Sequence, residues 1–163
     1  MILFCMRDAT LCLLQRFNPD QEVLLAMKKR GFGVGKWNGV GGKVQENETI
    51  EEAAVREAEE EIGVKITEFE KVAEFTFLFP TKLEWPGQVV HVYLVSKWEG
   101  EPSESEEMAP KWFKLEEFPY SQMWADDEIW MPHVFAGKKV KGKFEFDGDT
   151  IIGEPQLEIL EDL

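Results

Sequence analysis

Residues 42–64 read GKVQENETIEEAAVREAEEEIGV, and the rest of the chain is organised around this stretch. Gly42 ends a glycine-rich turn, Thr49 and Glu52 have the spacing of a capping box, and Gly63 stops the segment as a C-cap. Between the caps the pattern predicts a helix of about four turns. On a wheel of about 100° per residue, Ala54, Val55, Ala58 and Ile62 share one arc, which should face a sheet. Glu57, Glu60 and Glu61 occupy the neighbouring arc at spacings of three and four, so their carboxylates stack. Glu52 and Glu59 point to water, whereas Glu51 lands on the apolar arc, where only a frayed first turn tolerates it.

Like charges on one helical arc repel by a few tenths of a kcal/mol per pair, and folding does not call for the placement. In an acidic chain a solvated helix face accounts for such a ridge as readily as a binding site does. A divalent cation would turn the repulsion into binding. Oxygen-only donors favour Mg²⁺, or Mn²⁺ in its place, and Mg²⁺ commonly shares its coordination with substrate phosphates.

The flanking spacing separates the two readings. Gly42, five residues, Glu48, seven residues, then Arg56-Glu57-Ala58-Glu59-Glu60-Glu61-Ile62-Gly63-Val64 resembles the Nudix box at every fixed position. The resemblance implies an α/β fold, an α/β/α sandwich around a mixed β-sheet with the box helix on one side. It also implies hydrolysis of a nucleoside diphosphate linked to another group. By position, Glu57, Glu60 and Glu61 resemble metal ligands, completed by the backbone carbonyl of Gly41, while Arg56 resembles the residue that orients the glutamates and Glu48 braces the loop. Glu107, in the sequence SEEM, is similar to a loop residue that supplies a further ligand; a solvated glutamate is the alternative. Glu61, Glu60 or Glu107 would take the proton from the attacking water.

Outward from the box, composition sets the frame. The 163 residues suit a single domain, 1–163, large enough for a real core. With 44% hydrophobic and 31% charged residues, the chain reads as soluble and globular. Acidic side chains number 32 against 18 basic, leaving a net charge of −14, which repels nucleic-acid polymers and anionic membranes. Cys5 and Cys12 lie in an apolar stretch and read as buried hydrophobes in a reducing compartment. The opening MILFCMRDATLCLL is broken by Arg7 and Asp8, too early for a signal peptide or a membrane span. A cytoplasmic monomer is expected.

Before the box, Thr10 to Phe17 and EVLLAM (22–27) flank Asn18-Pro19-Asp20, the signature of a hairpin. KKRGFGVG (28–35) is a basic loop whose Lys28 is a candidate for substrate phosphates, with plain solubility as its alternative. After the box, Phe75, Phe77 and Phe79 recur at period two and predict a strand with one aromatic face. Thr81 to Gly87 reads as a loop, and VVHVYLV (89–95) as a strand buried on both sides, with His91 a hydrogen-bonded core residue. Residues 99–107 read as an acidic solvated loop, 111–115 as a short strand, 126–135 as a helix and 143–152 as a closing hairpin.

KKRGFGVGKWNGVGGKVQ and MWADDEIWMP are similar to the 8-oxo-dGTP diphosphatase branch of the Nudix family, a likeness covering roughly residues 10 to 152. It implies a purine nucleoside triphosphate substrate, attack at the β-phosphorus, and a base pocket built from Thr10, Phe32, Asn38, Phe77, Trp124, Asp126, Asp127 and Trp130. The chemistry is sensible in itself. Trp124 offers a stacking face, Asn38 a donor and an acceptor, and two adjacent buried aspartates would share one proton. Other roles remain open for these residues: Phe77 and Trp130 as core aromatics, Asp126-Asp127 as the N-terminal charges of the following helix, and Trp124 as a lid. Two positions depart from the branch. Gln88 stands where the likeness leads to a methionine, and Val40 where it leads to a larger aromatic.

Overall fold

The computed structural model describes residues 6–82 and 86–163. Strands β1 (Arg7–Phe17) and β2 (Gln21–Lys28) form the expected hairpin, β3 (Trp37–Asn38) pairs with β2, and helix α1 spans Ile50–Ile62. There follow β4 (Lys65–Leu78), β5 (Gly87–Glu99), β6 (Met108–Lys114), helix α2 (Asp127–Phe135) and the hairpin β7 (Lys139–Asp147) with β8 (Thr150–Leu160). The sheet runs β3-β2-β1-β5-β4-β7-β8, with β6 against β2. It is mixed: β1 runs parallel to β5 and β4 to β7, and the remaining pairs are antiparallel.

Period-two alternation divides the core between the two faces of this sheet. Leu11 and Leu13 of β1, Val90 and Val92 of β5, and Phe75 of β4 pack with Trp130, Met131 and Val134 of α2. Cys12 and Leu14 of β1, with Tyr93 and Val95 of β5, pack with Ala54, Ala58 and Ile62 of α1. The α/β/α sandwich follows, because each helix buries one stripe against one face. Truncating a fully buried aromatic such as Phe75 to alanine should cost about 3–5 kcal/mol. The two prolines within described strands, Pro110 in β6 and Pro155 in β8, both lie in strands paired on one side only, where a missing N–H is tolerated.

The box helix keeps its caps. Thr49 Oγ1 accepts from the Glu52 N–H at 3.1 Å, and Gly63 adopts φ +75°, a left-handed conformation suited to glycine. Two details of the wheel change. Ala53 is fully buried while Val55 is only half-buried, and Glu51 is not frayed, since its Oε1 accepts from the Tyr93 hydroxyl at 3.1 Å. His91 is a bonded core histidine, with Nε2 2.9 Å from Asp8 and Nδ1 2.9 Å from the Lys71 ammonium.

The acidic loop is more than a solvated segment. Ser103 N–H closes onto the Ile62 carbonyl at 2.9 Å, Lys29 reaches Glu104 at 3.0 Å, and Arg30 reaches Glu107 at 3.4 Å. Opposite charge has docked the 100–107 loop against the basic loop. β6 begins at 108 rather than 111, β7 at 139 rather than 143, and β8 continues to 160, because each extension is bonded by a neighbouring strand. Cys5 and residues 83–85 of the 81–87 loop lie outside the described residues, and Gly87 already belongs to β5. No helix of the described residues is long and apolar enough to cross a membrane.

Candidate active site

The site begins where the glycine turn meets β1. Backbone bonds join Cys12 to Val40 in both directions, and the Thr10 N–H donates to the Gly42 carbonyl at 2.9 Å. At Gly41 an added Cβ would lie 1.9 Å from the Thr10 carbonyl oxygen, and at Gly42 it would lie 2.6 Å from the Glu57 carboxyl. The glycine pair is therefore needed for close approach. It lets the loop lie flat on β1 while α1 presents its carboxylates to the loop.

Arg56 organises that ridge. Its Nε and Nη2 form a fork on Glu48 at 3.0 and 2.7 Å, Nη1 reaches Glu57 at 2.9 Å and Glu60 at 3.2 Å, and Nη2 also donates to the Lys43 carbonyl at 3.0 Å. The fork holds Glu48 below the usual carboxylate range, helped by the Gln45 N–H. Glu57 is raised, because its burial outweighs the Arg56 contact. Glu61 is 4% exposed and accepts from the Gly41 N–H at 2.7 Å. Burial pushes its carboxyl up to about 7; the Gly41 bond opposes the rise and the Glu57 charge adds to it.

The expected ligands divide into two groups. Glu57 and Glu61 meet at the glycine loop. Glu60 is exposed and turned to Arg56, and Glu107 is turned to Arg30. Among the described residues, no three acidic, histidine or cysteine side chains stand ready-made around an ion. The donor chemistry nonetheless fits a hard divalent cation, since Glu57 and Glu61 are both desolvated carboxylates and the Glu57 charge adds to the rise at Glu61.

The Glu61 carboxyl opens into a cavity of about 410 Å³. Every residue expected in the base pocket lines it: Thr10, Phe32, Asn38, Phe77, Trp124, Asp126, Asp127 and Trp130, together with Lys28. Lys28 is thus set apart from Lys29 and Arg30, which are spent on the acidic loop. At the mouth, half-exposed Phe32 lies 5.1 Å from Trp124 at an interplanar angle of 30°. Trp130 is both wall and core, 4.7 Å from Phe75. The Asn38 side-chain oxygen accepts from the Gly39 N–H at 2.9 Å, leaving the amide's donors for the cavity.

Asp126 and Asp127 are 3% and 2% exposed, not the solvated start of a helix. Asp126 Oδ2 accepts from the Trp130 indole N–H at 2.7 Å, whereas Asp127 Oδ2 is buried with no hydrogen-bond partner among the described residues. Burial raises Asp126 to about 6, and burial together with the neighbouring Asp126 charge raises Asp127 well above its ordinary range. Both shifts run the same way, favouring retention of a proton by the buried pair, with Asp127 the more strongly raised.

Sequence reasoning missed Lys36, whose ammonium lies 5.1 Å over the Trp124 ring and 3.3 Å from Asp149, and Phe146, which meets Trp124 edge-on at 5.7 Å. Both depend on the β7–β8 hairpin folding back over the cavity, for which no local pattern exists. Phe79 carried a signal, the period-two aromatic face, and joins Phe32 at the mouth.

A glycine loop seated on a mixed sheet, a glutamate ridge forked by one arginine, and a cavity beside it are the features of a Nudix hydrolase domain. A NUDIX domain model matches residues 6–134, and the chain belongs to the Nudix family. It is 49% identical over 142 residues to the oxidized purine nucleoside triphosphate hydrolase of Danio rerio, covering 87% of this chain and 90% of that protein. Identity to the protein of the same name from Mus musculus is 46% over 140 residues, 85% and 88% of the two chains. The crystal structure of the mutator MutT protein from Bacillus halodurans shares the fold, with a TM-score of 0.78 at 23% identity over 94% of this chain and 97% of the other. Nudix hydrolases generally use divalent metal ions, in keeping with the donor set at Glu57 and Glu61.

Proposed function

We propose that this enzyme hydrolyses oxidised purine nucleoside triphosphates, 8-oxo-dGTP and 2-oxo-dATP among them, to the nucleoside monophosphate and pyrophosphate. It would act as a cytoplasmic monomer that removes damaged nucleotides from the pool. One observation carries the reading: the aromatic cavity that holds the buried Asp126-Asp127 pair is also the cavity that Glu61 lines. The names of the relatives from Danio rerio and Mus musculus agree with it.

Base recognition follows from the chain's own groups. Trp124 and Phe32 provide faces for stacking, worth about 1–3 kcal/mol per base. The aspartate pair presents one proton and several acceptor oxygens. Moving that proton from one carboxyl to the other exchanges donor and acceptor, which suits an oxidised guanine in one state and an oxidised adenine in the other. Thr10 and Asn38 bound the same base, and Lys28 meets the phosphates.

At the phosphates, Mg²⁺, or Mn²⁺ in its place, would be held by Glu57, Glu60, Glu61 and Glu107 with the Gly41 carbonyl; when bound it neutralises phosphate charge and acidifies water. Arg56 keeps Glu57 and Glu60 oriented. Glu61, Glu60 or Glu107 takes the proton of the attacking water, and Glu61 is best suited because its carboxyl titrates near neutrality.

Pyrophosphate release at low substrate concentration from 8-oxo-dGTP, 2-oxo-dATP, their undamaged parents and ADP-ribose tests the reading. The oxidised triphosphates should lead. Preference for ADP-ribose, or tight binding with Mg²⁺ and no turnover of any triphosphate, overturns it.

A further inference from the structure

The cavity floor is a set of cross-strand rows on one face of β1, β5 and β4. Ala9, Val90 and Phe75 stand in one row, and Arg7, Gln88 and Phe77 in the next. Phe79 continues the aromatic side toward the mouth, its N–H bonded to the Pro86 carbonyl at 2.7 Å. Gln88 is thus the one amide side chain on a floor otherwise made of aliphatic and aromatic groups and Arg7. It is half-buried, and its amide makes no hydrogen bond to any described residue.

An amide held in a mostly apolar wall with no partner among the described residues weakens binding of an apolar surface and favours a polar one. Its position also separates it from the aspartates. Asp126 is bonded to Trp130, whose ring packs at a tilt against Phe75, one row deeper in the cavity; Gln88 lies about 7 Å further along β5, two residues toward the mouth. A flat base contacting the aspartates at one edge would leave a different edge over Gln88.

Resting on the proposed oxidised-purine reading, we infer that Gln88 is a specificity-determining residue that hydrogen-bonds a polar group on the base edge not read by Asp126 and Asp127. Its amide offers both a donor and an acceptor, so it accepts a carbonyl or a ring N–H at that edge and disfavours a bare C–H there.

Gln88→Met keeps length and volume while removing the donor and acceptor; Gln88→Leu controls for the sulfur. For each protein, kcat and KM are measured with 8-oxo-dGTP, 2-oxo-dATP, dGTP and dATP. The expected result is a loss of about tenfold in kcat/KM for those purines with a polar group at the Gln88 edge, relative to the others, carried by KM. Equal changes for all four substrates, or none, overturn the inference. The wild-type values alone test the proposed activity, so the two failures are distinguishable. Dissociation constants of the corresponding monophosphates, read from tryptophan fluorescence, give the same variant-to-wild-type ratios even without turnover.

Discussion

Glu61 Oε1 lies 2.7 Å from the backbone N of Gly41, so the last turn of α1 and the glycine loop are joined through a carboxyl that also faces the cavity. Gln at position 61 can accept the same bond but cannot take a proton from water. Glu61→Gln should therefore melt within a few degrees of wild type and lose about 10²-fold or more in turnover. Thermal melts and pyrophosphate release check both halves, and near-normal turnover would remove Glu61 from the proposed role.

Arg56 contacts Glu48, Glu57, Glu60 and the Lys43 carbonyl, and a lysine cannot reproduce that fork. Arg56→Lys should lower turnover by about tenfold or more and leave Glu57 and Glu60 unsteered. A variant with unchanged kcat shows that the ridge needs no such brace.

Gly42→Ala brings a methyl to 2.6 Å from the Glu57 carboxyl, and Gly41→Ala brings one to 1.9 Å from the Thr10 backbone oxygen. The first clash can be relieved by moving a side chain; the second requires strand β1 to move. Gly42→Ala should fold but lose activity, while Gly41→Ala should lose roughly 2 kcal/mol or more of stability. Chemical denaturation separates the two, and equal stability would contradict the geometry.

The buried aspartates make stability depend on pH in a stated direction. Both carboxyls are raised in the fold, so their favourable contribution is complete below the unfolded value of about 4 and is lost as pH rises through about 6 for Asp126 and higher for Asp127. Asp127→Asn stays neutral throughout. Relative to wild type, its melting temperature should gain between pH 4 and pH 8; a gap that is constant with pH rejects a buried ionising pair.

Trp124 lies against Phe32, Phe146 and the Lys36 ammonium at the cavity mouth. Trp124→Ala should raise KM about tenfold for purine triphosphates with a smaller change in kcat. An unchanged KM would make Trp124 a lid that does not touch the base.

By itself the sequence determined the box helix, its two caps, the first hairpin and the aromatic strand, because each depends on local spacing, and the box motif pointed to the family. Period 3.6 set the ridge of Glu57, Glu60 and Glu61 beside the buried stripe, and period two set the face of Phe75, Phe77 and Phe79. Even there a refinement was needed: Glu51 is held by Tyr93, a residue 42 positions away.

Only the tertiary structure decided which charges are available. The basic run Lys28-Lys29-Arg30 is uniform on paper, yet Lys28 faces the cavity while its two neighbours pair with the acidic loop some 75 to 77 positions further on. The Asp126-Asp127 pair looks like a solvated helix start until Trp130 and the aromatic walls close over it, and Lys36 meets Trp124 and Asp149 only once the last hairpin has folded. Burial and long-range charge are properties of the packed chain. Neighbouring residues in sequence do not carry them, so titration and polarity at this site were settled by folding.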